Sequence, residues 1–287
     1  MATIREIRRR IRSITSTAKI TRAMEMVAAS KMRRAQQRAL AARPYAQRMR
    51  ATLADLVTRH LTGDSVHPLL AVRPVERVLY LHLTPDRGLC GGLNTHMNRY
   101  TASLALEQEA EVRLVCVGCK GSDFFARTGY PVVAEFTGIG DYPEVAETLP
   151  ISRTIMDEYQ RGMADGVYLV FPLFVNTMTQ TPTVRRILPV EPPEGEEIEE
   201  LEYLYEPSPE AVLAELLPRY VEMQVYEAVL EMSASEQSAR MVAMRNATDA
   251  ANEMIEELTL TYNKARQEQI TKELLDIVGG VEALAEA

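Results

Sequence analysis

Apolar residues recur at alternating steps of three and four along residues 1–60. A frame starting at Ile4 gathers Ile7, Ile11, Ile14, Ala18, Ala28, Met32, Ala35, Ala39 and Ala42 on one seam, and no Gly or Pro falls between Met1 and Arg43. This is the repeat of a coiled-coil helix. The frame resumes beyond Pro44 with Ala46, Met49, Leu53 and Leu56, so the proline is expected to kink a long helix rather than end it. Thr21 and Glu25 read as interruptions of the seam.

The C-terminal part mirrors this pattern. Ser208 is a candidate N-cap, with Pro209 at the first helical position and Glu210 in the first turn. Tyr220, Met223, Leu230, Ala234, Met241, Met244, Ala251, Ile255, Leu258, Tyr262 and Ala265 hold one heptad frame. The seam then shifts by one residue to Ile270, Leu274, Ile277, Val281 and Leu284, as a straight helix drifts against a strict heptad. A continuous helix from Arg219 to Val278 would span about 90 Å, and Gly279 with Gly280 predict fraying beyond it. Two such helices cannot bury their seams inside a compact domain, so an antiparallel coiled coil of the two is expected. Seams rich in Ala and Met favour slender packing and leave adaptable surface for further partners.

Between the helices the period changes. Arg77–Leu83, Val112–Val117, Val132–Phe136 and Val167–Val170 are short β-type runs, and Thr183–Val190 reads as one further strand. Helical stretches over Leu93–Glu109, Ser122–Arg127 and Tyr142–Gln160 alternate with them, which predicts a Rossmann-like α/β domain on a parallel sheet. The expected organisation is an N-terminal coiled-coil helix over 1–70, the α/β domain over 71–207 and a C-terminal coiled-coil helix over 208–287.

Charge sharpens this picture. Residues 1–60 carry 15 Lys and Arg against 3 Asp and Glu, whereas the rest carries 17 against 37, so the basic charge is concentrated on the first helix. An acidic segment with ten Glu and no Lys or Arg runs from Ile187 to Pro218. A basic arm can meet nucleic acid, anionic lipid or an acidic protein surface, and charge alone does not choose among them. The longest apolar run, Val167–Val175, is broken by Pro172 and is too short to span a bilayer. Three cysteines, Cys90, Cys116 and Cys119, make no disulfide framework and suit a reducing compartment. The Arg-rich start superficially suits a transit peptide but lacks the marks of a secretory signal.

The candidate chemistry is thin. Asp86, Arg87, Gly88, Gly91 and Gly92 form a glycine turn between a strand and a helix. The chain lacks both G-x-G-x-x-G and G-x-x-x-x-G-K-[ST], so a structural turn is expected rather than a phosphate cradle. Cys116 and Cys119 form a C-x-x-C without supporting ligands: His60, His67, His82 and His96 show no metal-ligand spacing. A buried strand cysteine followed by an incidental turn cysteine is the simpler reading. No nucleophile elbow or acid–base pair stands out, and Glu253, Glu256 and Glu257 fit a solvated helix face. The basic helix carries Tyr45 alone among aromatics and no nucleic-acid signature. The residues by themselves leave a coiled-coil adaptor and a nucleotide-binding α/β enzyme open beside a mechanical role.

Longer motifs narrow the choice. AKITRAMEMVAASKMRRAQ (Ala18–Gln36) resembles the N-terminal signature of F-type ATP synthase gamma subunits, and the resemblance begins close to residue 2, which argues against a transit peptide. DRGLCGGLN (Asp86–Asn94), TQTPTVRRILP (Thr179–Pro189), EYLYEPSPE (Glu202–Glu210), SEQSARMVAMRNATDAANEMI (Ser235–Ile255) and TYNKARQEQITKELLDIVGG (Thr261–Gly280) follow in the family's order. The match covers essentially the whole chain. It departs at Cys119, where a basic residue is expected, and in a slightly longer tail over Val281–Ala287. The chloroplast-type cysteine-bearing insertion is missing.

The resemblance implies a central rotor shaft, one copy per complex, standing in a ring of alpha and beta subunits that carry the catalysis. Further implied partners are the epsilon subunit and the membrane c-type ring, with no nucleic acid, cofactor, metal or catalytic site on this chain. Lys19, Arg22, Met24 and Glu25 would meet a moving acidic region of a beta subunit. Arg266, Gln267, Thr271 and Glu273 would form an upper contact with a beta loop. Tyr203, Tyr205 and Glu206 would lie at the foot, near epsilon and the membrane ring. The implied location is peripheral, on the cytoplasmic face of a bacterial cell membrane.

Overall fold

A computed structural model describes residues 3–60, 67–191 and 205–285. Helix α1 covers Ile4–His60 with Pro44 inside it, as the resumed heptad frame predicts. It starts at a reciprocal cap, in which Thr3 Oγ1 accepts the Glu6 N–H and the Glu6 carboxylate accepts the Thr3 N–H. Helix α5 covers Pro209–Ala285, and its first turn is capped by Ser208 Oγ, which accepts the Ala211 N–H. It runs on through Gly279 and Gly280, where the sequence predicts fraying; glycines there cost about 1 kcal/mol each relative to alanine but do not by themselves stop a helix.

The chain divides into two compact units, Met1–Val27 with Met241–Ala287, and Ala28–Arg240. Both draw on the same two helices. In the first unit α1 and α5 pack antiparallel, tied where Thr21 Oγ1 meets Thr248 Oγ1 at 2.7 Å and Arg245 Nε donates to Glu25 Oε1 at 3.0 Å. Thr21 and Glu25 therefore belong to the seam. They are 8% and 6% exposed, and their polar groups are satisfied across it by the other helix.

The second unit is built on a five-stranded sheet in the order β3-β2-β1-β4-β5. Its strands are β1 (Arg77–Leu83), β2 (Glu111–Val117), β3 (Val132–Phe136), β4 (Gly166–Phe174) and β5 (Gln180–Leu188). The first four run parallel, as the alternation of strands and helices predicts, and β5, whose direction the sequence leaves open, returns antiparallel to β4. β4 also extends past the expected Val170 to Phe174, because Pro172 lies opposite Pro182 in the β4–β5 pairing. The intervening turn is held by Asn176 Oδ1, which accepts the Met178 and Thr179 N–H groups at 2.9 Å each.

Helices α2 (Leu93–Glu107), α3 (Cys119–Thr128) and α4 (Val145–Gln160) complete the unit. Cys119 opens α3 rather than sitting in a turn, and α4 starts three residues later than the sequence predicts, at a cap in which Glu144 N–H donates to the Glu147 carboxylate. β1 lies between two cores, which is why it reads as a nearly unbroken apolar run. Leu79, Leu81 and Leu83 pack with Ile151, Ile155 and Tyr159 of α4, Leu217 and Val221 of α5, and Leu53 and Leu56 of α1. Val78 and Tyr80 pack on the other side with Met97 of α2 and Phe125 of α3.

Candidate functional site

The first place to look in such a sheet is the crevice at the carboxyl ends of the parallel strands β1 and β2, the end of the sheet at which doubly wound folds bind nucleotides. It is small, about 170 Å³, and lined by Thr84, Asp86, Gly118, Gly138, Asp141 and Glu236 among others. The amides that would face a phosphate are already taken. Asp86 accepts the Cys119 N–H at the start of α3 and the Gly138 N–H, and Thr84 Oγ1 accepts the Gly121 N–H. Asp86, Asp141 and Glu236 line the walls against a single cation, Arg87, among the described residues. Burial raises the Glu236 pKa, against a lowering by Arg240, which sits 2.6 Å away. The glycine turn is thus part of the scaffold: Arg240 bonds the Gly88 carbonyl at 3.1 Å and fastens the turn to α5.

The C-x-x-C is equally inert. Cys116 is buried in β2, and loss of solvent pushes its thiol up to about 12, while a hydrogen bond to Asp86 raises that of Cys119. Both stay protonated at neutral pH. His82 is buried between Asn98 Oδ1 at 2.9 Å and Thr101 Oγ1 at 2.8 Å, and desolvation lowers its pKa to about 4. It is a neutral strut between β1 and α2.

Polar bonds gather instead where the α/β unit grips the two helices. Lys31 pairs with Asp141 at 2.6 Å, Arg34 bonds the Tyr142 hydroxyl, and Arg34 and Arg38 stack over the Tyr142 ring. On α5, Glu231 accepts the Phe174 N–H, and Ser235 and Ser238 donate to the carbonyls of Pro172 and Thr177. Arg50 of α1 pairs with Glu227 of α5. These bonds fasten the loop before α4 to α1, the end of β4 and its turn to α5, and the two helices to each other. None of them was legible as a motif, because each joins residues far apart in sequence.

The residues implied by the resemblance fall into three groups. Lys19 and Arg22 are exposed on α1, Met24 is half-buried, and Glu25 lies in the seam with Arg22 Nη1 on its second oxygen at 2.9 Å. Lys19 and Arg22 border a shallow groove with Asp249, Asn252 and Ile255 of α5. Arg266, Gln267, Thr271 and Glu273 are all exposed, Glu273 accepting from Gln269. Counting outward from the Thr21–Thr248 pair, Ile4 falls opposite Ala265, so residues beyond Ala265 run past the start of α1. The shifted seam is accordingly open: Leu274 is 57% and Ile277 64% exposed. Tyr205 donates to Asp55 Oδ2 at 2.7 Å, which ties the segment entering α5 to α1, and Glu206 is exposed beside it. Tyr203 lies outside the described residues.

The described residues thus show an α/β unit bonded to two long helices, with a run of exposed apolar and charged side chains at the end of α5. A family model described as ATP synthase matches residues 3–284. The ATP synthase gamma chain of Dehalococcoides mccartyi strain BAV1 is 55% identical over 285 residues, covering 99% of this chain and 100% of that one. That of Roseiflexus sp. strain RS-1 is 50% identical over 290 residues, with full coverage of both. Among solved structures, a chain from the central stalk and c-ring of Tetrahymena thermophila mitochondrial ATP synthase aligns with a TM-score of 0.61 at 27% identity, covering 79% of this chain and 99% of that one. A chain of the Euglena gracilis mitochondrial ATP synthase shares the fold, with a TM-score of 0.68 at 21% identity over 98% and 94%. The chain belongs to the ATP synthase gamma chain family, and its role is that of the central rotor shaft.

Proposed function

We propose that this chain turns inside a ring of alternating alpha and beta subunits, and that catalysis belongs wholly to that ring. The coiled-coil end enters the ring, and its asymmetry presents a different face to each beta subunit as it rotates. The nucleotide sites are thereby driven in turn through different affinities, a coupling free energy carried mechanically between sites. The observation that supports this most directly is the end of α5, where Ile270, Leu274 and Ile277 are exposed among the described residues although the helix is otherwise a seam partner. Apolar side chains at that spacing need a surrounding surface.

In this reading Lys19, Arg22 and Met24 meet an acidic region of a beta subunit, with Glu25 behind them. Arg266, Gln267, Thr271 and Glu273 make the upper contact. Tyr205 and Glu206, together with Tyr203, stand at the foot against epsilon and the membrane c-type ring. No described helix is long and apolar enough to cross a membrane, and the location carried over from the resemblance is peripheral, on the cytoplasmic face of a bacterial cell membrane. The N-terminal segment 1–70 and the C-terminal segment 208–287 then supply the two shaft helices, and residues 71–207 the α/β domain. Mixing the purified chain with alpha and beta subunits tests the reading. It is expected to lack ATP hydrolysis alone and to yield an active ATPase on assembly; failure to promote assembly overturns it.

A further inference from the structure

Glu25 is the one acidic residue between Arg8 and Lys31, and it is buried. A carboxylate in a coiled-coil seam is destabilising unless its oxygens are matched. Here each oxygen takes one guanidinium, Arg22 Nη1 on Oε2 at 2.9 Å and Arg245 Nε on Oε1 at 3.0 Å. The two arginines come from different helices, and their side chains remain 60% and 56% exposed. Neither makes another hydrogen bond or ion pair among the described residues. Thr21 and Thr248, four and three residues away in sequence, meet across the same seam and hold the two helices in register at this level.

We propose that Glu25 is a positioning residue, a buried bracket that presents Arg22 and Arg245 together as one basic patch drawn from both helices. The proposal rests on the reading that Lys19 and Arg22 face an acidic segment of a beta subunit. It adds Arg245 to that surface and moves Glu25 off it. Long side chains lose rotamer freedom when they bind, so two guanidiniums held in place beforehand grip carboxylates better than two mobile ones.

The sign of one substitution separates this role from a simple charge effect. Glu25→Gln removes a negative charge beneath the patch. If only net charge mattered, attraction to an acidic partner would grow; if the bracket matters, the grip weakens. The experiment reconstitutes the full chain with alpha and beta subunits and records the KCl concentration at which half of the chain leaves the ring. The helical melting temperature of each unassembled variant is followed alongside.

Glu25→Gln is expected to lower that KCl midpoint about twofold, as Arg22→Ala and Arg245→Ala do, and Lys19→Ala to lower it independently. If Glu25→Gln unfolds the helix pair, Arg245→Lys reads the same bond from the other side: it keeps the charge, loses the Nε contact, and is expected to weaken the grip. A Glu25→Gln or Arg245→Lys midpoint that stays level or rises, while Lys19→Ala and Arg22→Ala lower theirs, overturns the bracket. Midpoints unchanged in Lys19→Ala and Arg22→Ala overturn the acidic-partner reading itself.

Discussion

Thr21 Oγ1 and Thr248 Oγ1 lie 2.7 Å apart inside the antiparallel seam, joining residues that stand 227 positions apart in the chain. Each hydroxyl also has a carbonyl of its own helix within reach, Ala18 for Thr21 and Met244 for Thr248. One therefore keeps its backbone bond while the other donates across. Replacing either threonine by valine loses the cross-seam bond at about 1 kcal/mol, and the double replacement is expected to cost no more than either single one, because both partners leave together. Thermal melts of the three variants, followed by helical circular dichroism, check this coupling.

Gly118 joins β2 to α3 with φ at +93°, and a Cβ built there would lie 1.8 Å from the Thr84 carbonyl oxygen. Backbone cannot yield to that clash as a flexible side chain would. Gly118→Ala is expected to destabilise the α/β unit by more than about 3 kcal/mol, since strain at positive φ adds to the overlap. Gly88, which would meet nothing within 4 Å, should tolerate alanine almost unchanged. Denaturant midpoints of the two variants give the contrast.

Acid should loosen the sheet through His82. Burial depresses its folded-state pKa from 6.5 to about 4, so the unfolded chain takes up a proton first. The stability this group contributes is full above pH 6.5 and is lost as pH falls toward about 4, to the extent of about 3 kcal/mol. His82→Gln should flatten the slope of stability against pH over that window, whatever it does to stability at neutral pH. An unchanged slope would assign the acid response to other groups.

The end of α5 should matter for the ring and not for the fold. Arg266 and Gln267 are exposed, and their side chains make no hydrogen bond or ion pair among the described residues. Arg266→Ala with Gln267→Ala should leave the melting temperature of the isolated chain within about 1 °C, because exposed substitutions away from packed contacts change stability little. The same pair should weaken the hold on the ring about tenfold, as loss of a small cluster of interface contacts does. Turnover of the reconstituted complex, measured at rising salt, reads the second effect.

Much of the architecture is legible because it follows from local periodicity. The seam from Ala28 to Leu56, the start of α5 at Ser208 and Pro209, and the buried run of β1 each announce themselves within a few residues. Thr21 and Glu25 read as breaks because their partners, Thr248 and Arg245, belong to the far end of the chain; a heptad frame seen on one helix cannot show what matches a polar residue on the other. The direction of β5 was hidden for a related reason. Strand character is local, whereas pairing across the Asn176 turn depends on how the two strands meet. The grip of Arg240 on Gly88, and of Lys31 on Asp141, had no signature at all. No chemistry visible in Arg266 or Gln267 alone marks a contact; the role proposed for them rests on the whole stretch from Thr261 to Gly280.

Rotation of the chain inside its ring is the central claim, and a single-molecule assay tests it most directly. The reconstituted complex is fixed to a surface by its beta subunits, and a bead is attached at Leu106→Cys, an exposed site on α2, in a Cys119→Ser background. Addition of ATP is predicted to turn the bead in one direction with discrete dwells, and Arg266→Ala with Gln267→Ala to change the dwell times. A bead that stays still while the same complexes hydrolyse ATP would contradict the account.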